Sequence, residues 1–120
     1  MPEGRPLVSS DPLSSSEPLP ALEVDVASSG GATMVRVAGE LDMATVDVLR
    51  QALDAQHGAV VLDLRRVEFI DAAGLRLLLE ADARSRADGL HLTLIPGRVV
   101  DRLLGLTATR ARFRIRDPRS

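Results

Sequence analysis

The sequence VVLDLRRVEFIDAAGLRLLLE, residues 60–80, decides the fold. It starts within a short apolar run, residues 59–64, which is interrupted only by Asp63 and is typical of a buried strand in a parallel sheet. A short charged loop is expected next. Asp71 then precedes small residues and leucines, and a carboxylate there accepts hydrogen bonds from the first free amides of a helix. The stretch therefore predicts a strand, a loop and a helix capped by Asp71.

On the N-terminal side, the pattern predicts a hairpin and then a helix. Residues 22–26 and 33–38 alternate apolar and polar side chains, as half-buried strands do. Gly30-Gly31 supplies the turn between them. Residues 39–42 are expected to lead the chain into a helix whose N-cap is Asp42.

On the C-terminal side, the pattern predicts the remaining elements. The helix after Asp71 is expected to end at Gly89 and to bury one face, formed by Leu75, Leu78, Leu79 and Ala83. Residues 90–94 alternate and predict a strand, and residues 99–104 have the spacing of a short helix. Residues 112–116 alternate strictly and predict an edge strand with its arginines facing solvent.

The resulting order, β-β-α-β-α-β-α-β, predicts an α/β domain in which helices pack on a mixed sheet. The chain has 120 residues, 45% of them hydrophobic, which suits one domain. We expect this domain to span residues 21–116. Residues 1–20 hold five of the seven prolines and are expected to form a disordered Pro/Ser-rich tail. Residues 117–120 are expected to form a short C-terminal tail.

The composition argues against several classes of function. There is no cysteine, and the two histidines, His57 and His91, are far apart, so we expect no metal and no cofactor. A net charge of −2 and 2% aromatic residues argue against direct binding to nucleic acid or to anionic membranes. We expect no enzymatic activity, because no catalytic motif is present. No apolar segment is long enough to span a membrane and no signal-peptide pattern is found, so a cytoplasmic location is expected.

Two linked motifs resemble the STAS-domain family, whose soluble members are anti-sigma factor antagonists. The first is GELD at residues 39–42, followed by Ala44-Thr45. The second is VLDL at residues 61–64, followed by VEFID at residues 67–71 and then Gly74-Leu75. Both motifs occur in the family's order, spacing and strand–helix context. The resemblance therefore implies a STAS-like mixed sheet with helices packed on it.

The resemblance, which covers residues 22–115, also implies a function and a site. Such antagonists bind a GHKL-type anti-sigma factor serine kinase and free a sigma factor, and the kinase inactivates them by phosphorylating the Ser or Thr after the motif's Asp. That position here is Ala72, which has no hydroxyl to accept phosphate. The implied partner-binding residues are Glu40, Asp42, Thr45, Asp71, Ala72, Ala73, Gly74 and Leu75.

Two interpretations of Ala72 remain open. In the first, which we favour, the protein is an antagonist that is not switched by phosphorylation at this position. In the second, it is a STAS scaffold or ligand-sensing module in a larger signalling complex. A monomer or a weak homodimer is expected in either case.

Overall fold

The predicted elements occur in the expected order, and the α/β fold class is confirmed. The computed structural model describes residues 21–117, so the predicted N-terminal tail and nearly all of the C-terminal tail lie outside the described residues. The elements are β1 (Leu22–Ser29), β2 (Ala32–Leu41), α1 (Val46–Asp54), β3 (Ala59–Ile70), α2 (Ala72–Asp88), β4 (His91–Ile95), α3 (Gly97–Leu106) and a single 3₁₀ turn (Arg110–Arg112).

The four strands form one mixed sheet in the order β1-β2-β3-β4. β1 and β2 form the predicted antiparallel hairpin. The residues between them, Gly30 and Gly31, have φ angles of 57° and 84°, and a two-residue turn with two positive φ angles matches the twist of the flanking strands. β3 runs parallel to both β2 and β4, which agrees with its continuous apolar run.

The core lies on one side of this sheet. Val35 and Leu62, a register pair of β2 and β3, are fully buried in a cluster shared with α1, α2 and α3. The next register pair, Arg36 and Asp63, lies on the opposite side, because successive strand residues point to opposite faces. α1 and α2 lie side by side, and α3 packs on β3.

The charged segment that was expected to be a loop belongs to β3. This strand continues to Ile70, and its second half pairs with β2 at Arg66, Val67, Phe69 and Ile70. Two register shifts in the pairing mark bulges, which let a strand bend without ending. Val67 is buried, whereas residues 65–66 and 68 are exposed. The prediction of a loop was wrong because the polar residues reflect an exposed part of a strand.

The buried face of α2 is rotated from the predicted one. The prediction is right for Leu78, but Ala83 is exposed and the other two predicted leucines are half-buried. Leu77 and Ala81 are buried instead. Leucines cover most of the circumference of this helix, so their spacing does not identify the side that packs. The predicted end is confirmed, because Gly89 adopts a left-handed conformation there.

The last predicted strand, residues 112–116, is reduced to a single bridge. Its first residue belongs to the 3₁₀ turn Arg110–Arg112, which leaves too few residues for a ladder. Ile115 alone pairs, in parallel, with Leu94 at the edge of the sheet. The predicted alternation holds beyond the turn, since Phe113 is buried and the two arginines that follow it are exposed.

Candidate functional site

The two sequence motifs meet where β2 and β3 end. Leu41 and Ile70 form the last register pair of these parallel strands. The backbone N–H of Asp71 then donates a hydrogen bond to the carbonyl of Leu41, with an N···O distance of 3.3 Å. The chain leaves β2 into a turn that leads to α1, and leaves β3 directly into α2. Both motifs therefore lie at one end of the sheet.

Asp71 caps α2 as predicted. Its backbone is extended, and its Oδ1 accepts hydrogen bonds from the N–H groups of Ala73 and Gly74 at 2.9 and 3.1 Å. These are two of the amides that have no partner within the helix. The negative side chain also lies at the positive end of the helix dipole. The cap fixes the start of the helix and leaves Ala72, its first residue, exposed to solvent.

Gly74 lets α2 start close to the ends of both strands. A Cβ atom at this position would lie 2.7 Å from Cγ1 of Ile70 and 2.7 Å from the carbonyl oxygen of Leu41. Both distances are too short for non-bonded contact, so a side chain would push the helix away from the sheet. Gly74 therefore has a packing role, because it brings the helix start against β2.

The turn before α1 is held by side-chain hydrogen bonds. Thr45 is buried, and its Oγ1 donates to the Glu40 carbonyl at 2.7 Å and accepts from the Asp42 N–H at 3.0 Å. Oδ1 of Asp42 accepts from the N–H groups of Ala44 and Thr45 at 3.0 and 3.2 Å. Together these bonds close a tight turn between β2 and α1.

The prediction that Asp42 is the N-cap of α1 was wrong. The helix begins at Val46, and its N-cap residue, Thr45, makes no side-chain capping bond. β2 extends to Leu41, so the turn occupies the residues that we assigned to the first turn of the helix. Asp42 therefore stabilises the turn and not the helix.

The structure brings together the residues that were predicted to bind a partner but exposes only some of them. Glu40 and Ala72 are exposed, Asp42, Asp71, Ala73 and Leu75 are half-buried, and Thr45 and Gly74 are buried. The buried pair can shape a contact surface from below but offers little surface to a partner. The exposed pair lies at the strand end and at the helix start.

Two exposed apolar side chains at this end of the sheet were not identified from the sequence. Met43, in the turn, is 78% exposed, and Phe69, near the end of β3, is 50% exposed. Phe69 is the register partner of Glu40. The bulged pairing explains why alternation did not reveal Phe69, whereas an apolar Met43 in an otherwise polar turn was an available signal. We call Glu40, Met43, Phe69 and Ala72 the α2-start surface.

The carboxylates of the described residues form no metal-binding group, and one of them is held by an arginine. Within residues 21–117, no group of three or more His, Cys, Asp or Glu side chains is placed to hold a metal ion. Asp63, on the opposite face, receives two hydrogen bonds from the guanidinium of Arg65, at 2.9 and 2.7 Å. These bonds hold the pKa of Asp63 below its ordinary value, so this carboxyl stays ionised and is a poor general acid. Among the described helices, none is long and apolar enough to cross a membrane.

Comparison with protein families identifies the class of protein that this fold and site define. A family model described as "Mlab, STAS domain" matches residues 24–108. The chain therefore belongs to the STAS domain family, as its two motifs indicated. The matched segment includes both motifs and the α2-start surface.

Individual relatives are more specific. The chain is 33% identical over 63 residues to an anti-sigma F factor antagonist from Paenibacillus polymyxa, a match that covers 48% of this chain and only 54% of that curated relative. The crystal structure of an anti-sigma factor antagonist from Mycobacterium paratuberculosis is similar with a TM-score of 0.68 and 29% identity, over 81% of this chain and 86% of that one. The anti-sigma factor antagonist SpoIIAA in its unphosphorylated form shares the fold, with a TM-score of 0.64 and 16% identity, over 81% and 90% of the two chains.

Proposed function

We propose that this protein is an anti-sigma factor antagonist, which binds an anti-sigma factor of the GHKL-type serine kinase class and thereby frees a sigma factor. The observation that carries the proposal is the exposed helix start at Ala72, fixed by the Asp71 cap. The similarity to the antagonist from Mycobacterium paratuberculosis, which extends over 81% of this chain, supports it. In this role the protein acts in the cytoplasm as a binding protein without catalysis and without contact to nucleic acid or membrane.

In this proposal the antagonist is not switched by phosphorylation at the helix start. A phosphate adds close to two negative charges to a contact surface, which is enough to separate two proteins. Neither Ala72 nor Ala73 has a hydroxyl group. The hydroxyl of Thr45 is buried and donates to the Glu40 carbonyl, so a kinase would have to open the turn to reach it. Binding is therefore expected to be the same with ADP and with ATP.

The α2-start surface is the proposed contact region. Its two apolar members are both exposed, Met43 by 78% and Phe69 by 50%. Complete burial of a large apolar side chain contributes about 1.5–3 kcal/mol, so these two residues are suited to anchor a partner. Asp71 and Gly74 hold the helix start, which includes Ala72, in place.

The test is a calorimetric titration of the protein into each candidate anti-sigma factor kinase encoded by the same genome, with ADP and with ATP. The expected result is tight binding to one kinase that does not depend on the nucleotide. Binding that ATP abolishes would contradict the unswitched mechanism. Absence of binding to every candidate would contradict the proposal and favour a STAS scaffold or ligand-sensing module.

Ala72→Ser provides the matched variant, because it adds only the missing hydroxyl. With the same kinase and ATP, we expect mass spectrometry to find phosphate on the variant and none on the wild type. Titration should then show that ATP weakens binding of the variant alone. An unmodified variant that still binds would mean that the kinase contacts another surface.

A further inference from the structure

The side of the β1–β2 hairpin that faces away from the core has a complementary pattern. Directly opposed residues of an antiparallel pair point to the same face, and three such pairs lie side by side here. They are Ala27 with Met34, Asp25 with Arg36, and Glu23 with Ala38. We call these six residues the outer β1–β2 face. All three from β1 and Arg36 are exposed, and the other two are half-buried.

In each of the three rows, the β1 and β2 residues complement each other. One row opposes a carboxylate to a guanidinium, and the other two oppose a short side chain to a long one: Ala27 to Met34, and Ala38 to Glu23. Apart from the Glu23 carboxylate, which faces an alanine, each feature of this face has a complement on the neighbouring strand, so the face is largely self-complementary. This is the requirement for an interface between two identical subunits related by a two-fold axis.

The two charged side chains of the central row, Asp25 and Arg36, form no ion pair with each other within the subunit. Although Asp25 and Arg36 are register partners, no ion pair joins them, and Arg36 makes no side-chain hydrogen bond within residues 21–117. The other neighbour of Arg36 in register, Asp63, is bound by two hydrogen bonds from Arg65, and Arg36 adds only the smallest of the electrostatic contributions that lower the pKa of Asp63. Arg36 and Asp25 are therefore available to an external partner of matching charge.

We propose that the outer β1–β2 face is the interface of a homodimer. A two-fold axis parallel to the strands, placed between β1 and β2, lays β1 of one subunit over β2 of the other. Asp25 then faces the partner subunit's Arg36, and Ala27 faces the partner subunit's Met34. The same contacts are made twice, so the Asp25–Arg36 charge pair forms on both sides of the axis.

The small area of this face is expected to make the dimer weak. Two strands of about eight residues span roughly 27 by 10 Å, and stable interfaces bury about 800 Å² on each partner. Much of the attraction comes from exposed charges, which salt screens. The dimer is therefore expected at high micromolar concentration and low salt. The face shares no residue with the α2-start surface, so the two can be tested with separate variants.

The experiment is sedimentation velocity of the full chain from micromolar to millimolar concentration, at low and high salt, with a charge-exchange pair of variants. Asp25→Arg and Arg36→Asp each create like charges across the two-fold axis, so each is expected to weaken self-association at least tenfold. An equimolar mixture restores both opposed pairs and should associate as strongly as the wild type. Arg102→Asp makes the same charge change at an exposed position of α3 and should have no effect.

The proposal is wrong if the wild type stays monomeric over this range, if the mixture fails to associate, or if Arg102→Asp weakens association equally. Disulfide crosslinking gives a second readout that does not depend on charge. The chain has no native cysteine, so single cysteines can be introduced without a background reaction. Mixed Ala27→Cys and Met34→Cys proteins should form a disulfide between subunits faster than either protein alone. Equal rates would overturn the geometry.

Discussion

The starts of α1 and α2 lie at the same end of the sheet but are stabilised in different ways. At α2, the Asp71 side chain accepts from two helix amides, and Gly74 allows the helix to contact the strand ends. At α1, the helix has no side-chain cap, and the bonds of Asp42 and Thr45 stabilise the preceding turn. In both places the stabilising side chains lie at least partly below the surface. The exposed residues between them are thus free to contact a partner.

The largest effect on stability is expected for Gly74→Ala. The added Cβ would lie 2.7 Å from both Ile70 and the Leu41 carbonyl, and overpacking of this kind costs about 1–3 kcal/mol, more than alanine gains as a helix former. Urea unfolding measures the change. Gly105→Ala in α3 is the matched control, because nothing lies within 4 Å of its added Cβ. It should stabilise by up to about 1 kcal/mol. Equal effects at the two glycines would contradict the close approach of α2 to the sheet.

Thr45→Val should have the next largest effect, since it removes the hydroxyl that closes the turn before α1. The Glu40 carbonyl and the Asp42 N–H each lose a partner in a partly buried position. Leaving such groups unsatisfied costs about 1–3 kcal/mol. Thr45→Ser keeps the hydroxyl and loses only a methyl group. Its stability, measured by thermal and urea unfolding, should therefore be closer to that of the wild type. If the valine variant is as stable as the serine variant, the turn does not depend on this hydroxyl.

Removal of the two aspartates compares the helix starts directly. Asp71→Ala should destabilise by about 1 kcal/mol, which is typical of a lost N-cap. Asp42→Ala should cost less, because one of its two backbone bonds, to the Ala44 N–H, is exposed and water can replace it. Paired urea titrations of the two variants test this order. A greater loss at Asp42 would mean that the turn, and not the cap, is the more important support of this end of the molecule.

The same two aspartates show which features of the helix starts could be predicted from the sequence. Asp71 precedes a clear apolar helix and follows a recognisable strand, so its role as a cap was predictable from local pattern. Asp42 also precedes an apolar helix, but β2 ends immediately before it, and the four-residue turn depends on the buried Thr45 hydroxyl. A boundary set by such tertiary contacts is not visible in local pattern.

The position of the candidate site was predictable from the sequence, but the residues that it exposes were not. The motifs identified which segments meet, because both follow strands that end at the same edge. The exposure of Phe69 results from bulges in the pairing of β2 and β3, and these shift the alternation of side chains within the strand. Side-chain periodicity predicts a face only while the register is regular.

Ala72→Asp should change stability least and partner binding most. The new carboxylate lies at the exposed first residue of α2, where the helix dipole favours a negative charge by about 0.3–1 kcal/mol. The unfolding midpoint should therefore stay unchanged or rise slightly. Binding to the proposed anti-sigma factor partner should weaken strongly, because a second carboxylate, in addition to that of Glu40, enters the α2-start surface without a partner. Ala83→Asp, on an exposed position farther along the same helix, is the control and should leave binding intact. If calorimetry finds that Ala72→Asp binds as tightly as the wild type, the helix start is outside the interface, even though the Asp71 cap and Gly74 hold it in place.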